Sequence, residues 1–120
     1  TLLDEHADPN LAEKSGQTAI YYAANLGSIG IVNALLQHGA DPNKKTKTGW
    51  TALYTATYHG YDSIVTALLK HGANPNLKKS NGWTALMSAC FYGRTNIGRD
   101  LLKHGAEPNI KNNLGQSALY

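Results

Sequence analysis

Five histidines, three of them evenly spaced, a single cysteine and a scatter of aromatic and lysine side chains are the residues of this chain with chemistry to offer. His38, His71 and His104 recur at a separation of 33, each just before a glycine. Three imidazoles invite a metal hypothesis, yet zinc needs its ligand nitrogens within about 2.1 Å of one ion. Side chains that recur once per packed helical unit stand on the order of 10 Å apart. Their expected place is a helix C-terminus, where positive partial charge suits the dipole. No metal and no cofactor is expected. Cys90 is the only cysteine, which rules out an intrachain disulfide and a zinc cage of paired cysteines and points to a reducing compartment. No G-x-S-x-G elbow, phosphate-binding G-x-x-x-x-G-K-[ST] loop or H-E-x-x-H helix occurs. The expectation is a segment that is not an enzyme.

Whatever these residues do, the elements that position them belong to one modest domain. The chain has 120 residues, 42% of them hydrophobic, enough for a single core and too few for two. Its longest apolar stretch, Ala19 to Ala24, is six residues, where a membrane span needs about 20. No Asn-x-Ser/Thr acceptor and no charged-then-apolar leader is present, so an intracellular location, cytoplasmic or nuclear, is expected. A net charge of +3 permits an acidic partner without demanding one.

The chain is periodic. Asp8-Pro9, Asp41-Pro42, Asn74-Pro75 and Glu107-Pro108 follow one another at intervals of 33, and asparagine follows every proline. Leu35-Leu36-Gln37-His38-Gly39-Ala40 returns as Leu68-Leu69-Lys70-His71-Gly72-Ala73 and as Leu101-Leu102-Lys103-His104-Gly105-Ala106. Gly16-Gln17-Thr18-Ala19-Ile20-Tyr21 returns as Gly49-Trp50-Thr51-Ala52-Leu53-Tyr54, Gly82-Trp83-Thr84-Ala85-Leu86-Met87 and Gly115-Gln116-Ser117-Ala118-Leu119-Tyr120. Thr18, Thr51, Thr84 and Ser117 are suited to cap a short first helix, which Gly27, Gly60 and Gly93 would end. Ser28, Asp62 and Thr95 or Asn96 would cap a second helix with its apolar residues, such as Ile31, Val32, Leu35 and Leu36, at helical spacing. The polar stretch that follows, such as 41–48, reads as a turn or hairpin finger. Helices this short are marginal alone, so each unit must be stabilised by stacking on its neighbours.

These motifs resemble the ankyrin repeat along the whole chain. The resemblance implies an all-α solenoid of stacked helix-turn-helix units with projecting hairpin fingers. The units would be the end of one repeat at 1–7, repeats at 8–40, 41–73 and 74–106, and a partial repeat at 107–120. Both ends fall inside helices, which suggests an excerpt of a longer array. The family's Thr-Pro-Leu-His becomes Thr-Ala-Ile-Tyr, Thr-Ala-Leu-Tyr, Thr-Ala-Leu-Met and Ser-Ala-Leu-Tyr. That removes a preorganising proline and replaces histidine with Tyr21, Tyr54, Met87 and Tyr120, for which aromatic packing could substitute. Ile97-Gly98 replaces an Ile-Val pair and Asp100 stands where Ala34 and Ala67 do, so the third unit is expected to be weaker. Cys90 falls where the family places small buried residues, and a packed thiol is expected. Asn10, Asn43, Asn76 and Asn109 match positions that an asparaginyl hydroxylase modifies in this family; the alternative is a turn asparagine bonding its own backbone.

Ankyrin proteins generally recognise partners on a concave surface built from finger tips and first-helix ends. Carried onto this chain, that surface takes Lys14, Ser15, Gln17, Asn25 and Leu26, then Lys47, Thr48, Trp50, Tyr58 and His59. It continues with Ser80, Asn81, Trp83, Phe91 and Tyr92, and ends with Asn113, Leu114 and Gln116. The implied function is a non-catalytic protein-interaction module with Trp50, Trp83, Tyr58, Phe91 and Tyr92 as anchors. Lys44, Lys45, Lys47, Lys78, Lys79 and Lys111 gather on the fingers. If functional, they favour acidic residues around the partner's apolar anchor; otherwise they only solvate the loops. Two alternatives stay open. Aromatics beside lysines can bind a nucleotide or single-stranded nucleic acid by stacking, or the segment is a structural spacer whose tryptophans pack within the array.

Overall fold

A computed structural model describes residues 18–118. Its six helices are α1 (Ala19–Leu26), α2 (Ile29–Gln37), α3 (Ala52–His59), α4 (Asp62–Lys70), α5 (Ala85–Phe91) and α6 (Thr95–Lys103). There is no strand among the described residues, and the fold is the expected all-α repeat. First helices α1, α3 and α5 pack side by side in one layer, second helices α2, α4 and α6 in the other, and each first helix also packs on its own second helix.

The local reasons repeat as the sequence does. Thr18, Thr51 and Thr84 are N-caps whose hydroxyls accept from the N–H of Tyr21, Tyr54 and Met87 at 3.3, 3.1 and 3.4 Å. No helix follows Ser117 among the described residues. Gly27 and Gly60 are left-handed C-caps of α1 and α3. α5 ends one residue sooner, at a Tyr92 C-cap, with Gly93 beyond it at φ 70°. The second helices depart from the expected caps. Asp62 and Thr95 are the first helical residues, Tyr61 and Arg94 hold the N-cap positions, and neither these nor Ser28 makes a side-chain cap bond. Those positions serve packing instead. The Tyr61 ring lies over Gly27 and the Arg94 guanidinium over Gly60, where a Cβ would stand only 2.9 and 3.1 Å from them.

Core residues fall on the inner faces of both layers. Leu35, Leu68 and Leu101 are fully buried, as are Val32 and Val65. Ile31, read as apolar at helical spacing, is on the exposed side. Ala24, Ala56 and Ala89 of the first helices are fully buried as well. The third unit keeps a nine-residue α6 despite Gly98 and Asp100. Asp100 has found a use, accepting a 2.6 Å bond from the Thr66 hydroxyl of the preceding unit. Gly98 has not. A Cβ there would meet only Ala89 and Leu86, at 3.9 and 4.0 Å, ordinary contact distances. Gly98→Ala is therefore expected to stabilise the protein by about 1 kcal/mol, measured as a higher urea midpoint with unchanged m-value.

Candidate functional site

Each of the three described fingers is closed by two backbone bonds. In the first, Gly49 N–H donates to Thr46 C=O and Thr46 N–H to Trp50 C=O, both at 2.9 Å. The same pair joins Gly82 with Lys79 and Lys79 with Trp83, then Gly115 with Asn112 and Asn112 with Gln116. Every turn places its glycine at φ of 80–86°, a region that L-residues avoid. The next residue in the first two, Trp50 or Trp83, meets rings of the first helix that follows, Tyr54 and Tyr58 or Phe91. Lys47, Thr48, Ser80 and Asn81 sit exposed at the tips.

Fingers also bond one another. Ser80 N–H donates to Thr48 C=O at 3.3 Å and Asn113 N–H to Asn81 C=O at 3.1 Å. Asn43 does not bond its own turn through its side chain. Its Nδ2 donates to Gly72 C=O and its Oδ1 accepts from Asn74 N–H at 2.7 Å, and Asn76 repeats this with Gly105 and Glu107. The local turns are closed by the residues two before, Asp41 and Asn74. Asn10, Lys14, Ser15 and Gln17 lie outside the described residues. The lysines are partly internal as well: Lys45 Nζ donates to Lys78 C=O at 3.0 Å and Lys78 Nζ to Lys111 C=O at 3.1 Å. Lys79 reaches back over the preceding unit, with Nζ 4.4 Å from the Trp50 ring centroid and 5.1 Å from that of Tyr54. Burial against these rings lowers the Lys79 pKa.

The predicted aromatics join into one row. Trp50 meets Tyr58 at 5.5 Å, Tyr58 meets Tyr92 at 5.2 Å, Tyr92 meets Phe91 at 5.0 Å and Phe91 meets Trp83 at 5.5 Å, all edge to face. His59 lies beside it, 5.1 Å from Tyr58 and stacked on Tyr61, with Nε2 3.2 Å from the side-chain Oδ1 of Asn25. Exposure divides the row: Phe91 is 70%, Tyr92 43% and Tyr58 37% exposed, whereas both tryptophans are half-buried. Leu26 and Leu114 are also largely exposed.

Tyr54 takes the place of the family's histidine. It packs edge to face on Trp50 at 4.8 Å, so aromatic packing does substitute there. Burial pushes its phenol above the ordinary value of 10.0. A raised acid pKa keeps the proton on the folded protein, so this contribution to stability is present below about pH 10 and lost as pH rises through the folded value. Tyr54→Phe is expected to shrink the fall in unfolding free energy between about pH 9 and about pH 11, read from urea titrations.

His38, His71 and His104 are the C-cap residues of α2, α4 and α6. Nδ1 of His71 and of His104 donates to the carbonyl four residues earlier at 3.0 Å. Among the described residues no three His, Cys, Asp or Glu side chains gather as metal ligands would. Cys90 is exposed, not packed. Its counterparts Ala24 and Thr57 are fully buried beneath the next first helix, and no described helix covers α5 in that way. Burial of part of the thiol still raises its pKa, which works against nucleophilic reactivity.

A family model of ankyrin repeats, three copies long, matches residues 1–79 and again 40–112. The chain belongs to the ankyrin-repeat family. Ankyrin repeats are generally protein–protein interaction modules and are typically non-catalytic. No curated protein matches the chain significantly. Among the described residues no helix is long and apolar enough to cross a membrane. The signal for the aromatic row lay in the positions that break the ankyrin period. What the repeat could not reveal was the side chain of one unit reaching over another, as Lys79 does over Trp50.

Proposed function

We propose that this ankyrin segment is an intracellular, non-catalytic module that holds a partner protein against the aromatic row. The observation that carries this reading is the unbroken sequence of edge-to-face rings from Trp50 to Trp83, open to solvent at Tyr58, Phe91 and Tyr92. Contiguous exposed aromatic surface is uncommon without a partner. Rings locked by one another bind with little ordering cost. Exposed Lys44, Lys47 and Lys111 would favour acidic residues around the partner's apolar contact and speed encounter. The amines of Lys45, Lys78 and Lys79 are engaged within the protein, which takes them away from phosphate binding and weighs against the nucleic-acid alternative.

Trp50 is covered by Lys79, so the decisive substitutions are at the open rings. Phe91→Ala/Tyr92→Ala is expected to reduce capture of the partner from cell extract at least about tenfold, as for hot-spot residues, with an unchanged circular dichroism spectrum. Equal capture by a folded variant would sink the proposal and return the row to a structural role.

A further inference from the structure

Position 79 breaks the repeat in a way that the fold does not need. Its counterparts 33 residues before and after, Thr46 and Asn112, are buried and close their own fingers. Thr46 Oγ1 accepts from Trp50 N–H at 3.2 Å, and Asn112 Oδ1 accepts from Gln116 N–H at 3.0 Å. A lysine ammonium has no acceptor and cannot do this. In the second finger Asn81 does it instead, its Oδ1 accepting from Trp83 N–H at 3.0 Å. The Lys79 side chain is thereby released to reach over Trp50 and Tyr54, with Nζ 4.4 and 5.1 Å from the ring centroids. Those contacts hold the ammonium by its charge and leave it without a hydrogen-bond acceptor. Among the described residues no oxygen accepts from it and no carboxylate pairs with it, and it is not sealed from solvent. Burial against the rings lowers its pKa, as for a charge that has given up water without gaining a counter-ion. The corner lies between the first two fingers, and the third finger is bonded beyond them through Asn113 and Asn81.

We propose that Lys79 receives an aspartate or glutamate carboxylate of the partner, which closes over the ammonium beside Trp50. The inference rests on the aromatic row being a protein-binding surface and adds the chemistry of its Trp50 end. A carboxylate there would supply the charge-assisted hydrogen bonds that the rings cannot. Tyr58 stands 5.5 Å from Trp50 and is open to solvent, so the acidic residue adjoins an apolar one that lies on Tyr58. One fixed amine suits one carboxylate. A phosphate chain would need a line of amines, and the neighbouring Lys45 and Lys78 donate to carbonyls.

The test follows the Trp50 indole N–H resonance of the whole chain by NMR, assigned with Trp50→Phe. The probes are the peptide acetyl-Ser-Glu-Phe-Ser-amide and the same peptide with glutamine in place of glutamate. The expected result is a saturable shift of the Trp50 signal, with the glutamine peptide binding at least about fivefold more weakly. Lys79→Met keeps the apolar stem and removes the charge, and should bind both peptides equally. Lys47→Met, which removes an exposed cation from the neighbouring finger, should keep the preference for glutamate. If Lys79→Met fails to fold, the Cε signal of Lys79 in the unaltered chain decides the point, since only the glutamate peptide should move it. Equal binding of both peptides, no Trp50 shift with either, or a glutamate preference that survives Lys79→Met would overturn the site. Capture by the Phe91→Ala/Tyr92→Ala variant then judges the row separately.

Discussion

Gly82→Ala is expected to cost about 3 kcal/mol or more of stability, the sum of left-handed strain of about 1–2 kcal/mol and a backbone overlap of about 1–3 kcal/mol. Gly82 turns its finger at φ 84°. A Cβ at this position would stand 2.7 Å from Asn113 N and 2.9 Å from the Asn112 Cα. These are backbone atoms of the next finger, so no rotamer change can relieve the overlap. The fingers would have to part, and the Asn113–Asn81 and Asn113–Ser80 bonds would be strained with them. Gly115 supplies the control. It has nearly the same conformation, φ 80°, but nothing stands within 4 Å of its Cβ position. Gly115→Ala should therefore cost only the strain, about 1–2 kcal/mol. Urea unfolding of both variants measures the difference. Equal losses would show that the fingers do not hold one another at this distance.

Leu68→Ala is expected to lose about 3 kcal/mol, within the 2–5 kcal/mol found for buried leucines. Leu68 is fully buried in α4, the middle one of the second helices, which packs on both α2 and α6. Its loss opens a cavity that neither neighbour can close without leaving the other. Stability in such an array is a sum of nearest-neighbour interfaces, so the damage reaches both of them. Leu102→Ala should cost under about 1 kcal/mol, because Leu102 is 49% exposed although its counterpart Leu69 is only 5% exposed. Thermal and urea unfolding of the pair test this contrast, and similar losses would contradict it.

The contrast between Leu69 and Leu102 also marks how far the sequence could be read. Identical residues at identical repeat positions are equivalent locally, and their helices, caps and turn glycines follow from that. Thr18, Thr51 and Thr84 cap because a hydroxyl at that place meets a free amide whatever lies beyond. Burial is not local. Leu102 and Cys90 are exposed while Leu69 and Thr57 are buried because burial depends on what the neighbouring unit lays over them. The second-helix caps failed for the same reason: Tyr61 and Arg94 were chosen for packing over Gly27 and Gly60, and capping chemistry alone could not indicate that. Of the two alternatives for the finger asparagines, the one that rests on structure, a side chain bonding its own turn, does not hold at Asn43 and Asn76, which bond the next unit.

The 33-residue period, the cap and glycine positions and the polar fingers were enough to determine the family and its all-helical layers, since each acts within a few residues of itself. The same pattern, by its exceptions, brought Trp50, Tyr58, Trp83, Phe91 and Tyr92 forward as candidates. Only the tertiary structure decided that these rings touch in a row and that Lys79 covers Trp50. Both outcomes hang on contacts between units, Tyr58 with Tyr92 and Lys79 with Trp50, set by how tightly one unit stacks on the next.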